Sequence, residues 1–126
     1  MRRLWALCLL AWPLAGAAAW QTVEETANGV RMVDVARAET VRGQVRFAER
    51  TVLRAGQIDP ATLRSLREIL EKRVLDCATR RAATLSRAVF ADHDALIEHR
   101  VVRQDRADWK PLAADDPRVR LLCPQR

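Results

Sequence analysis

Histidine, glycine and cysteine are all scarce in this chain: two His, four Gly and three Cys in 126 residues. Two histidines are too few for a His-based metal cluster or a His-rich catalytic centre. His93 and His99 have no carboxylate or thiol at ligand spacing, so no metal and no cofactor is expected. Four Gly and five Pro exclude collagen-like and linker-dominated architectures. There is no CxxC pair, no nucleophile elbow and no Ser-His-Asp spacing. The paired carboxylates Asp92/Asp94 and Asp115/Asp116 have turn and capping explanations. The expectation is a protein that is not an enzyme. At 14.3 kDa the chain has room for one domain. With 49% hydrophobic and 30% charged residues, it is neither an acidic disordered tail nor a membrane bundle.

The one long apolar run is N-terminal. Met1-Arg2-Arg3 is a short basic region, Leu4–Ala15 is apolar, and Gly16-Ala17-Ala18-Ala19 is a run of small residues. This is the three-part layout of a secretory signal over residues 1–19, cleaved after Ala19. The run falls short of the roughly 20 residues that span a bilayer, and Pro13 breaks it. No transmembrane segment is therefore expected after cleavage. Cys8 lies within the apolar run behind Trp5-Ala6-Leu7 rather than after a small-residue box, so it leaves with the signal unacylated.

The mature domain, residues 20–126, keeps twenty cations against sixteen carboxylates, a net charge of +4. Eighteen of those cations are Arg, which in an Ala-rich chain reads as compositional bias. Export removes nucleic acid from the partner list; acidic surfaces remain on it. Two cysteines survive, Cys77 and Cys123. An even count in an oxidising compartment reads as one structural disulfide. It would close a loop of about 47 residues, for which chain entropy gives roughly 4 kcal/mol.

Along the mature chain, Ala27-Asn28-Gly29 marks a turn, and Val30–Ala36 reads as a strand. Val41, Gly43, Val45 and Phe47 alternate with Arg42, Gln44 and Arg46, which reads as a half-buried antiparallel strand with a solvated Arg42/Arg46/Arg50 stripe. Asp59 offers an N-cap and Pro60 a first helical position. Leu63, Leu66, Ile69 and Leu70 then fall on one stripe, so the pattern predicts a helix from about Pro60 to Lys72. Residues 73–90 fit either a continued helix, slightly favoured by pattern, or strands. Beyond them Asp92-His93-Asp94 is a turn, and residues 97–102 alternate as a strand, which suggests a hairpin across residues 91–95. Asp116 and Pro117 open a short final helix with Val119, Leu122 and Cys123 inward, stopped by Pro124. Trp20 and Trp109 are expected as core aromatics that anchor the sheet.

The ordered set of Trp20 after a signal, a strand ending near Asp34, Asp76-Cys77-Ala78 with Arg80-Arg81, the turn Ala91–Asp94, Trp109 before Pro111, and Cys123 resembles the surface-adhesin protein E family. The resemblance spans nearly all of the mature chain. It implies an α+β fold, an antiparallel sheet with one or two flanking helices, and places residues 73–103 in strands. It also implies a domain exported to the periplasm or cell surface of a Gram-negative bacterium, where a host matrix or serum protein or an envelope component is the partner. Asp76, Trp20 and Trp109 are the structural residues it singles out. Two departures stand: no lipobox cysteine, and a segment from Thr51 to Lys72 that reads as a helix-bearing insertion. No ligand-contacting residue carries over. An alternative is a structural, envelope-associated periplasmic domain without adhesive role.

Overall fold

The computed structural model describes residues 17–124. Most of the signal segment, residues 1–16, lies outside the described residues. Eight antiparallel strands form one sheet: β1 Trp20–Thr26, β2 Gly29–Asp34, β3 Glu39–Val41, β4 Gln44–Leu53, β5 Leu66–Asp76, β6 Arg81–Ala91, β7 Leu96–Val101 and β8 Lys110–Pro111. The order is β1-β2-β4-β5-β6-β7. Both flanks fork: β3 pairs with the start of β4, beside β2, and β8 pairs with the start of β6, beside β7. The single α-helix among the described residues is α1, Pro117–Leu122.

The cleanest agreement with pattern is in β4. Val45, Phe47, Glu49 and Thr51 are buried on one face, while Arg46 and Val52 are exposed on the other. The predicted strand is nevertheless interrupted. Arg42 and Gly43 both take positive φ and form a two-residue turn joining β3 to β4, so Val41 ends a separate edge strand. The core is built from Val23, Val33, Val45, Phe47, Leu75, Ala82 and Leu122, with both cysteines packed against it.

The helix expected over Pro60–Lys72 is not formed. The capping signal is real but spans one turn: the Asp59 carboxylate accepts from the Thr62 amide (2.9 Å) and hydroxyl (2.6 Å), and Leu63 donates to the Asp59 carbonyl. Leu63 then turns left-handed (φ 58°), and the chain enters β5 at Leu66. β5 pairs with β4 along one edge and β6 along the other. Two full ladders outweigh the helical propensity of LREILEK, a weak preference of tenths of a kcal/mol per residue. The ambiguous stretch 73–90 is likewise β5, a turn at Cys77–Arg80, and β6. The turn at 91–95 is formed, with His93 and Asp94 at positive φ. Among the described residues α-helix is confined to the six residues of α1, less than the flanking helices expected, and the fold is mostly antiparallel sheet.

α1 follows its sequence signals. The Asp116 side chain accepts from the Arg118 amide, Pro117 occupies the first turn, and Leu122 is buried.

Candidate functional site

Two corners of the sheet carry the polar chemistry. At the first, Cys77, just past β5, is bonded to Cys123, just past α1, with Cα atoms 5.7 Å apart. Charge is buried further along the sheet, midway along β4 and within reach of α1. Glu49 points into the core side of β4 and is 1% exposed. It accepts from Arg73 Nη1 at 3.2 and 3.3 Å and from Arg118 Nε on α1. Arg118, 6% exposed, also reaches Asp116 at 3.3 Å and Glu24 at 3.9 Å. Burial alone would lower the basicity of the Arg118 guanidinium; its contacts with Glu49 and Asp116 outweigh that and raise it. This cluster closes the fold. Sequence reading missed it, yet the signal was there: continuing the Val45/Phe47 alternation puts Glu49 inward, and a carboxylate there demands a cation.

Beside the disulfide corner an open groove of about 790 Å³ runs between the end of β5 and the segment leading into β8. Asp76 and Trp109 both line it, with Gln44, Arg81 and Gln104. Asp76 accepts from the amides of Ala78 (3.0 Å) and Thr79 (3.2 Å) and so holds the turn carrying Cys77. Arg81 donates to the Trp109 carbonyl at 3.1 Å, and Gln104 bridges Gln44 (2.7 Å) and Arg46 (3.1 Å). The structure therefore brings Asp76, Trp109 and the disulfide corner together and leaves Trp20 apart, at the head of β1 opposite Asp34. Both tryptophans are half-buried and outside the buried core cluster, which is made of Val, Leu and Ala with Phe47. An indole edge with amides, a guanidinium and a carboxylate suits non-covalent recognition.

A second groove, about 620 Å³, lies further along the same strands, a few residues in from the first, with Arg46, Lys72 and His99 around an Ala48–Leu85 floor. The expected hydration of the arginine stripe holds for Arg42 and Arg46, which are exposed. Arg50 pairs with Glu68 at 2.8 Å. Among the described residues no three His, Cys, Asp or Glu are grouped to hold a metal ion, and no helix is long and apolar enough to cross a membrane.

The sheet, the bridge and the Asp76 turn occur in the order that the resemblance required. The profile of the family described as Surface-adhesin protein E matches residues 20–122. The chain belongs to that family. No curated protein and no solved structure matches it. The match covers most of the chain and includes β1 through α1, so the half-buried Trp20 and Trp109, the Asp76 turn and the buried Glu49 cluster all fall within the family's domain. Membership agrees with an exported or surface location and with protein binding in general.

Proposed function

We propose that this member of the surface-adhesin protein E family is an exported, non-enzymatic binding module that docks a host matrix or serum protein at the outer edge of β7. A secretory leader removed within Gly16–Ala19 delivers it. One observation carries the edge assignment. β7 pairs with β6 on one side only, and Leu96 and Val101 stand 56% and 72% exposed along it, with Val102 following. Exposed apolar edge strands invite another strand, and soluble proteins ordinarily blunt them. Both edges carry exposed charge, Glu24 and Glu25 on β1 and Arg100 on β7, but large exposed apolar side chains stand on β7 and not on β1. Main-chain pairing along β7 would supply affinity, and Leu96 and Val101 the side-chain selection. The non-enzymatic reading rests on a sequence without nucleophile–base spacing.

The test joins location to binding. Intact cells are shaved with protease and labelled with antibody to the domain, and the purified domain is titrated onto immobilised matrix and serum proteins. The expected result is surface labelling together with saturable binding that Leu96→Lys/Val101→Lys weakens at least tenfold. Labelling only after the outer membrane is opened, or binding indifferent to the β7 edge, would overturn the reading and move the partner into the envelope.

A further inference from the structure

Two carboxylates are buried among the described residues, and they are compensated very differently. Glu49 meets two guanidiniums. Asp34, also 1% exposed, accepts from the Ala19 amide at 3.0 Å and the Arg37 amide at 3.3 Å, both on Oδ1. The Arg37 Nε approaches Oδ2 at 3.8 Å from a side chain that is 60% exposed. Ala19 is fixed from its other side as well: its carbonyl accepts from the Val35 amide at 3.0 Å. The ladder of β1 therefore begins one residue ahead of Trp20, and Ala19 is bonded at both its polar groups.

That residue sits inside the small-residue run of the leader. The small-x-small requirement of a signal peptidase is met by Ala17 and Ala19 for a cut after Ala19, and equally by Gly16 and Ala18 for a cut after Ala18. A cut after Ala19 would strip the amide from Asp34 and the carbonyl from Val35 together. A cut after Ala18 keeps both and places a second positive charge at Asp34, on the Oδ1 side away from the largely exposed Arg37 guanidinium.

The geometry points to the Ala18–Ala19 bond as the maturation site, with the new α-ammonium of Ala19 docked on the buried Asp34 carboxylate. The step is a hydrolysis by an endopeptidase of the signal-peptidase class. Water supplies hydroxyl to the Ala18 carbonyl carbon, the C–N bond breaks, and the Ala19 nitrogen leaves as an amine that takes up a proton at neutral pH. An amide–carboxylate contact becomes one with a cationic donor, the stronger kind, and the buried carboxylate gains a close positive charge at 3.0 Å beside the more distant, solvent-exposed Arg37. Maturation then locks the head of β1 onto β2. This rests on the secretory-leader reading, and the experiment separates the two.

The full chain is expressed with its leader in a Gram-negative host, and the intact mass of the exported protein is measured. The expected chain begins at Ala19 and is one alanine residue heavier than one beginning at Trp20. A start at Trp20, Ala18 or Ala17 overturns this inference and leaves the leader intact; an uncut chain overturns both. The docking is read by amine-reactive labelling of the N-terminus near neutral pH. The folded wild-type protein is expected to label at least about tenfold more slowly than Asp34→Asn, the factor that one pKa unit produces. Should Asp34→Asn fail to fold, the same acceleration is expected when the wild type is unfolded in urea. Equal rates would overturn the ion pair.

Discussion

The two ends of this sheet are closed by different means. At one end, the β3–β4 turn and the β5–β6 turn meet α1 at Cys77–Cys123, and Arg118 on α1 extends the closure inward to a buried Glu49 midway along β4, which Arg73 also holds. At the other, the segment 54–65 leans on residues 26–28 and on the 3-10 turn Asp92–Asp94 through backbone bonds, through side-chain bonds that Arg54, Gln57 and Arg64 donate to carbonyls, and through one half-exposed pair, Arg64–Asp92 at 3.2 Å. The first end is tied across 46 residues by the disulfide and across 69 by Arg118–Glu49, one bond covalent and the other buried. The second is tied across 28 or 29 residues by part-buried and exposed side-chain hydrogen bonds. It leaves Ile58, Leu63 and Leu96 in solvent (57%, 79% and 56% exposed), where they add little to stability.

Removing one cation from each end breaks the comparison most directly. Arg118→Ala strands Glu49 in the core with only Arg73 and is expected to cost about 3–5 kcal/mol, the range for a buried pair that loses one partner. Arg64→Ala removes a solvent-screened pair and one part-buried hydrogen bond to the Asp92 carbonyl, and is expected to cost about 1–2 kcal/mol. Urea denaturation midpoints at neutral pH check both. Similar losses would mean that the two ends are equally closed.

The disulfide sharpens the same contrast. Cys77→Ser/Cys123→Ser is expected to lower stability by about 2–5 kcal/mol, through the entropy returned to the unfolded chain. The core cluster beside it stays formed, because Val45, Leu75 and Ala82 come from paired strands rather than from the stapled helix. Retention of the β signal in circular dichroism, with a lower melting temperature, is the expected result. A mature mass equal to that of the reduced chain would remove the bridge itself.

How far the fold was legible in the sequence follows the same division. The Asp116–Pro117 cap, the alternation of β4 and the pairing of two surviving cysteines are local or compositional signals, and each is where the sequence pointed. The Asp59–Pro60 cap was equally visible but misleading: it starts a turn that Leu63 ends, and residues 66–76 become a central strand because β4 and β6 are there to receive them. That cause is non-local, and no window of the sequence contains it. Of the candidate site, Asp76, Trp109 and the bridge were named from sequence. Arg118 was not, because an arginine on a short helix looks solvated until the carboxylate it faces is known.

The smallest effect lies in the open end's own turn. Asp59 titrates below its ordinary value, chiefly because the Thr62 hydroxyl donates to its carboxylate at 2.6 Å, with help from the Thr62 and Ala61 amides against a desolvation that acts the other way. A carboxyl lowered on folding stabilises the native state above the unfolded value of about 3.9, and that contribution is lost as pH falls through the lower folded value. The turn should therefore hold at neutral pH and loosen only in acid below the usual carboxylate range. Thr62→Val deletes the hydroxyl and keeps the amide, so Asp59 should titrate closer to its ordinary value in a carboxyl NMR titration. The neutral-pH urea midpoint should move less than for any variant above. An unmoved Asp59 titration would mean that the hydroxyl does not cap the turn. A large stability loss would mean that this end is closed as firmly as the other.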